Sequence, residues 1–144
     1  MECLFCKIIK KEITAKILFE DENVIAFLDI NPNSFGHTLL VPKDHILDVV
    51  DFSKNNDLNR FYEYIDIIQS SLEKVLESSG FIHLTNCGSK QDIKHFHMHL
   101  TPAFEKNEEL YYKHKESTYL DNFEKNYLDE IKNEIKKQIL IRWF

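Results

Sequence analysis

Positive charge, cysteine and long apolar runs are all scarce in this chain, and each shortage removes a class of protein. Eighteen Lys and Arg stand against 24 Asp and Glu, a net charge of −6 over 144 residues. No basic stripe appears, which argues against nucleic acid as a partner. No apolar run approaches the ~18 residues of a membrane span. Met1-Glu-Cys-Leu has neither the basic start nor the apolar stretch of a signal peptide. Three cysteines, an odd number, fit a reducing compartment better than a disulfide framework. The expectation is a soluble, cytoplasmic protein with no membrane partner. With three Gly and three Pro there is no low-complexity linker, and the length suits one domain with a real core.

What the chain does have is histidine in a row. His95-Phe-His-Met-His-Leu-Thr-Pro102 sets three imidazoles at two-residue spacing. On a β-strand, His95, His97 and His99 would share one face about 6.6 Å apart, with Phe96, Met98 and Leu100 turned into the core. A neutral imidazole offers one lone pair and one N–H, and both protonation states are accessible near neutral pH. Such a row can supply a nucleophile, an orienting donor and a proton source within one substrate's length. That suits transfer at phosphorus, where attacking and leaving atoms lie in line and negative oxygens need donors. A His-x-His pair is also a good zinc chelate awaiting a further ligand. Cys3-x-x-Cys6 raises the metal question separately, since two thiolates at this spacing are half of a structural zinc site. Two ordinary reduced thiols are the other reading.

The pattern along the chain predicts an α+β layout. A short helix is expected over about Phe5 to Lys11, then strands near Ile17–Glu20, Val24–Asp29 and His37–Pro42. Leu58, Phe61, Tyr62, Ile65, Ile68, Leu72, Val75 and Leu76 recur at helical spacing. Gly80 is the expected stop for that helix. Strands return at Phe81–Asn86 and His95–Thr101. This order suggests a mostly antiparallel sheet with helices on one face. Residues 105–117 read as a polar loop. Leu120, Phe123, Tyr127, Leu128, Ile131, Ile135 and Ile139 then mark an amphipathic helix.

The triad is identified as similar to that of the histidine-triad (HIT) family. Cys3-Leu-Phe-Cys-Lys-Ile-Ile, Val24-Ile-Ala-Phe-Leu-Asp29 and Gly36-His-Thr-Leu-Leu-Val-Pro-Lys-Asp-His45 follow the same family's pattern, in order. The resemblance covers residues 1–104 as one domain and leaves 105–144 as a C-terminal loop and helix. It points to the nucleoside phosphoramidase-like branch with a Cys-x-x-Cys start, and to a five-stranded sheet. What it implies is nucleotidyl transfer or hydrolysis through a nucleotidyl-histidine intermediate on a purine nucleotide substrate. His97 would be the nucleophile, its other ring nitrogen donating to a backbone carbonyl, with His99 and His37 at the phosphate. Asp29 would accept from the ribose hydroxyls, although a turn cap ahead of Pro32 suits it equally well. Phe5, Ile8 and Phe27 would enclose the base. His45 and His95 would complete a structural zinc site with Cys3 and Cys6. A homodimer is implied too, with the C-terminal helix packed on its own domain or on the partner.

The loop before the triad departs from the family pattern. Asn86 and Gln91 stand where nucleotide-contacting residues are expected. Lys90 replaces a loop glycine, Asp92 replaces a small hydroxyl residue, and the loop is about two residues short. That hydroxyl assists the leaving group in the family, whereas a carboxylate repels added negative charge. Ala103 also stands where many relatives carry arginine. A dinucleoside polyphosphate hydrolase and a nucleotide-binding module with little catalysis are the alternatives.

Overall fold

The computed structural model describes residues 3–105 and 108–144. Met1, Glu2, Lys106 and Asn107 lie outside it, and with them part of the predicted loop 105–117. Five strands form one sheet: β1 Ile17–Glu20, β2 Val24–Leu28, β3 Thr38–Pro42, β4 Gly80–Leu84 and β5 Met98–Ala103. Their order is β1-β2-β3-β5-β4, and every neighbouring pair is antiparallel. The α+β expectation holds.

Alternation along the central strands divides the apolar residues between two faces. Ala26, Leu28, Leu40, Met98 and Leu100 join the main core beneath helix α3, Leu58–Leu76. Ile25, Phe27, Leu39 and Val41 face the other way and are covered by helix α1, Leu4–Ile9, through Phe5 and Ile8. The helices therefore do not all lie on one face as expected. α1 is the exception, and it covers the face that carries the histidines.

Helix α3 begins where Asp57 accepts the Arg60 N–H at 3.1 Å. It does not end at Gly80. Glu77 takes the left-handed conformation at φ 58°, and its N–H bonds the Glu73 carbonyl at 2.8 Å. Gly80 instead opens β4, so the stop comes three residues early, on a residue other than glycine. A short helix α2, Val49–Asn55, had no expectation and is capped by Asp48. Part of the predicted loop is helix α4, Glu108–Lys113, with Leu110 in the core.

The C-terminal stripe forms α5, Tyr119–Phe123, a π turn over Glu124–Leu128 and α6, Asp129–Trp143. Phe123, Leu128, Ile131 and Ile135 are buried in the main core. Trp143 closes the end of α6 onto α3: the Arg60 guanidinium lies 3.5 Å above its ring, and its indole N–H donates to Glu63 at 3.1 Å. Among the described residues no helix is long and apolar enough to cross a membrane.

Candidate functional site

The hydrogen-bonded ladder of β5 starts only at Met98, so His95 and His97 precede the strand rather than belonging to it. The alternation survives that shift. Phe96 and Met98 enter the main core, while His97 and His99 open on the opposite face. His97 donates Nδ1–H to the His95 carbonyl at 2.7 Å. Its Nε2 therefore keeps the lone pair. Thr85, beyond the end of β4, bonds the His97 carbonyl from behind at 2.8 Å. The Phe5 ring meets the His97 ring edge-on, 4.9 Å between centroids.

Two further contacts determine how His37 and His99 carry their protons. The Asn33 N–H donates to His37 Nδ1 at 3.0 Å, so the His37 proton sits on Nε2. His37 Nε2 is 3.0 Å from His99 Nδ1, which must then accept. His99 is left with its proton on Nε2, a donor beside the lone pair of His97. Burial holds His99 neutral, its pKa lowered to about 4, with His97 and His37 pushing the same way. Burial also lowers His37, against the opposing charge of Asp29. Asp29 uses one oxygen to cap the turn through the Asn31 N–H at 2.8 Å. The other lies 3.6 Å from His37 Nε2. Asp29, His37 and His99 are close enough to suggest a metal cluster, but a protonated Nε2 on His37 is not a ligand; that proton is given to His99, with the Asp29 carboxylate nearby.

These groups line a cavity of about 460 Å³. Of the residues expected there, Phe5, Ile8, Phe27, Asp29, His37, Asn86, His97 and His99 are all on its wall, and Asp92 joins them. Gln91 is not. It is buried, and its amide donates to the Leu47 carbonyl at 2.7 Å, tying the loop to the segment before α2.

A second cluster sits behind His97. Cys3, Cys6, His45 and His95 bring one donor atom each within 4.8 Å of one another. Sulfur-to-nitrogen separations are 3.2 Å for Cys6–His45, 3.4 Å for Cys3–His95 and 3.6 Å for Cys6–His95. A tetrahedral ion with ordinary metal–sulfur and metal–nitrogen bonds sets this edge at about 3.6 Å. His95 Nε2–H is spent on the Pro42 carbonyl at 2.8 Å, which turns a free Nδ1 lone pair toward the thiols. The four residues fit a metal ion.

Residues 10–106 match the HIT domain. The chain belongs to the HIT family. An uncharacterized HIT-like protein of Methanocaldococcus jannaschii is 40% identical over 136 residues, spanning 93% of this chain and 98% of that one. A HIT-related adenylylsulfatase of Arabidopsis thaliana is 32% identical over 108 residues, 74% of this chain and 54% of the plant protein. Among HIT structures, a hypothetical histidine triad nucleotide-binding protein of Sulfolobus tokodaii superposes with a TM-score of 0.77 at 28% identity, covering 95% of this chain and 94% of its own.

Two parts of this HIT site escaped sequence reasoning. Thr85 looked like an ordinary strand residue. The backbone N–H of Asn33 has no signal at all in residue type, since it acts through the main chain.

Proposed function

We propose that the protein is a cytoplasmic nucleotide hydrolase or nucleotidyl transferase that cleaves purine nucleoside 5′-phosphoramidates or related nucleotidyl compounds. The carrying observation is the His97 ring, with Nδ1–H spent on the His95 carbonyl at 2.7 Å and Nε2 free in a cavity beside a donor on His99. His97 Nε2 attacks the α-phosphorus. The bond from phosphorus to the leaving nitrogen breaks, and the departing amine takes up a proton from solvent. Water then adds to phosphorus and gives up a proton to solvent, the phosphorus–Nε2 bond breaks with its electron pair returning to Nε2, and the nucleotide leaves. His99 Nε2–H bonds a phosphate oxygen through both steps, where developing charge makes a fixed donor most useful. Phe5, Ile8 and Phe27 give the base an apolar slot, and Asp29 and Asn86 border the sugar.

Two relatives carry names that speak of an adenylyl compound and of a nucleotide, which supports this substrate class. The exposed carboxylate of Asp92 on the cavity wall favours an amine leaving group over a polyphosphate. Zinc is the metal proposed for Cys3, Cys6, His45 and His95. A closed set of four ligands leaves no open position, so its role is to pin α1 to the sheet. A homodimer is proposed as well: β4 ends the sheet, and its Ile82 and Leu84 are 58% and 45% exposed.

The test is release of AMP from adenosine phosphoramidate by the protein and by His97→Ala. Removing the nucleophile is expected to cost at least ~10³-fold. Normal turnover by His97→Ala would sink the reading. AMP binding without turnover by either protein would favour a nucleotide-binding module.

A further inference from the structure

The C-terminal segment reaches the site from behind, through one hydroxyl. Phe35 is fully buried among the rings of Tyr119, Phe123 and Tyr127, at centroid distances of 5.4, 5.2 and 5.4 Å. The next residue, Gly36, takes φ +88° and gives its N–H to the Tyr119 hydroxyl at 3.1 Å. Tyr119 is 4% exposed and lies beyond the HIT domain match, which ends at residue 106. The segment it holds is the tight loop that delivers the Asn33 N–H to His37 Nδ1 and closes with the His37 N–H on the Ser34 carbonyl at 3.1 Å.

We propose that Tyr119 is a positioning residue, whose hydroxyl fixes the Asn33–His37 loop and so sets the tautomers of His37 and His99. The consequence follows from proton counting. With Asn33 N–H in place, His37 donates from Nε2, His99 accepts at Nδ1, and His99 keeps Nε2–H for the substrate. If the loop loosens, His37 can hold its proton on Nδ1. His37 Nε2 then accepts, His99 must donate from Nδ1, and His99 Nε2 presents a lone pair to the phosphate instead of a donor. This rests on the reading of the cavity as a nucleotidyl site only for its effect on turnover. The tautomers themselves can be observed without it.

The experiment compares the intact protein with Tyr119→Phe, which keeps the ring and removes one oxygen. Long-range ¹H–¹⁵N spectra report which nitrogen of His37 and His99 is protonated, and adenosine phosphoramidate turnover is followed beside them. The expected result is a single Nε2-protonated form for both residues in the parent and a mixture in Tyr119→Phe. The kcat should fall about five- to tenfold, with a smaller change in KM. Phe123→Leu thins the packing around Phe35 but leaves the hydroxyl. It should lower the melting temperature and leave both tautomers alone. Unchanged tautomers in Tyr119→Phe would overturn the proposal, as would an equal shift in Phe123→Leu. A tautomer shift in a protein that turns over no nucleotidyl compound would keep the proposal and remove the nucleotidyl reading.

Discussion

His95 and His97 are linked by a division of labour within one residue. The carbonyl of His95 accepts the His97 Nδ1–H at 2.7 Å, while the ring of His95, held by Pro42, turns Nδ1 to the sulfurs of Cys3 and Cys6. The same helix that carries Cys6 also carries Phe5, whose ring meets His97. The candidate metal cluster and the proposed nucleophile therefore share both a residue and a wall.

Removing the metal should be felt in two ways. Elemental analysis is expected to find one zinc per chain, and a chelator or Cys6→Ser should lower the melting temperature by roughly 10 °C. Turnover should fall as well, because α1 no longer holds Phe5 and Ile8 over the cavity. The fold itself should survive, since the main core does not include α1. A metal-free protein whose melting is indifferent to chelator would remove this account.

Asp92 tests the leaving-group argument. It borders the cavity with His97 and His99, and its charge acts on His99. An exposed charge a few ångströms from another is worth about 1 kcal/mol in water-like surroundings. Asp92→Asn should therefore raise turnover of a substrate with a phosphate-bearing leaving group by up to about fivefold relative to a phosphoramidate. The comparison is a ratio of kcat/KM values at low salt, and an unchanged ratio would mean that Asp92 plays no part in selection.

Acid should destabilise the protein through His99 and His37. Burial lowers both, His99 from 6.5 to about 4. Above pH 6.5 the folded and unfolded forms are both neutral at these sites and the groups are silent. As pH falls toward 4 the unfolded chain takes up protons that the folded chain refuses, so stability drops with falling pH. Urea midpoints measured from pH 7 to pH 4.5 should decline. His99→Asn should flatten the decline, and a slope unchanged in that variant would refute the assignment.

Much of this was legible because period carries fold information. The two-residue alternation around His95–Leu100 announced a face of imidazoles even though the strand itself starts at Met98. The helical stripe of α3 was legible for the same reason. The C-terminal stripe reads as one continuous helix at ordinary spacing, and the π turn over Glu124–Leu128 has no signal in it. What stayed hidden works through the main chain or against propensity. Glu77, not Gly80, takes the left-handed cap. Asn33 contributes only its N–H, and α2 buries little beyond Phe52. Gln91 is the counterpart: its position suggested the site, but its amide is spent on Leu47.

Gly36 joins the C-terminal segment to the histidine loop through its N–H on the Tyr119 hydroxyl. Its φ of +88° already strains any residue with a side chain, and a Cβ there would sit 2.7 Å from Leu76 Cδ1. The dihedral alone costs about 1–2 kcal/mol, and forcing a methyl into a packed core adds about 1–3 kcal/mol. Gly36→Ala should therefore destabilise the protein by roughly 2–5 kcal/mol in urea or guanidinium titration. Leu76→Ala removes the clashing methyl but leaves the dihedral, and it carries a cavity cost of its own of about 2–5 kcal/mol. The double variant should thus lose less than the sum of the two single losses, by about the overpacking share. Simple additivity would mean that the loop moves aside without pressing on Leu76, and the close approach of Gly36 to α3 would then not be what demands glycine.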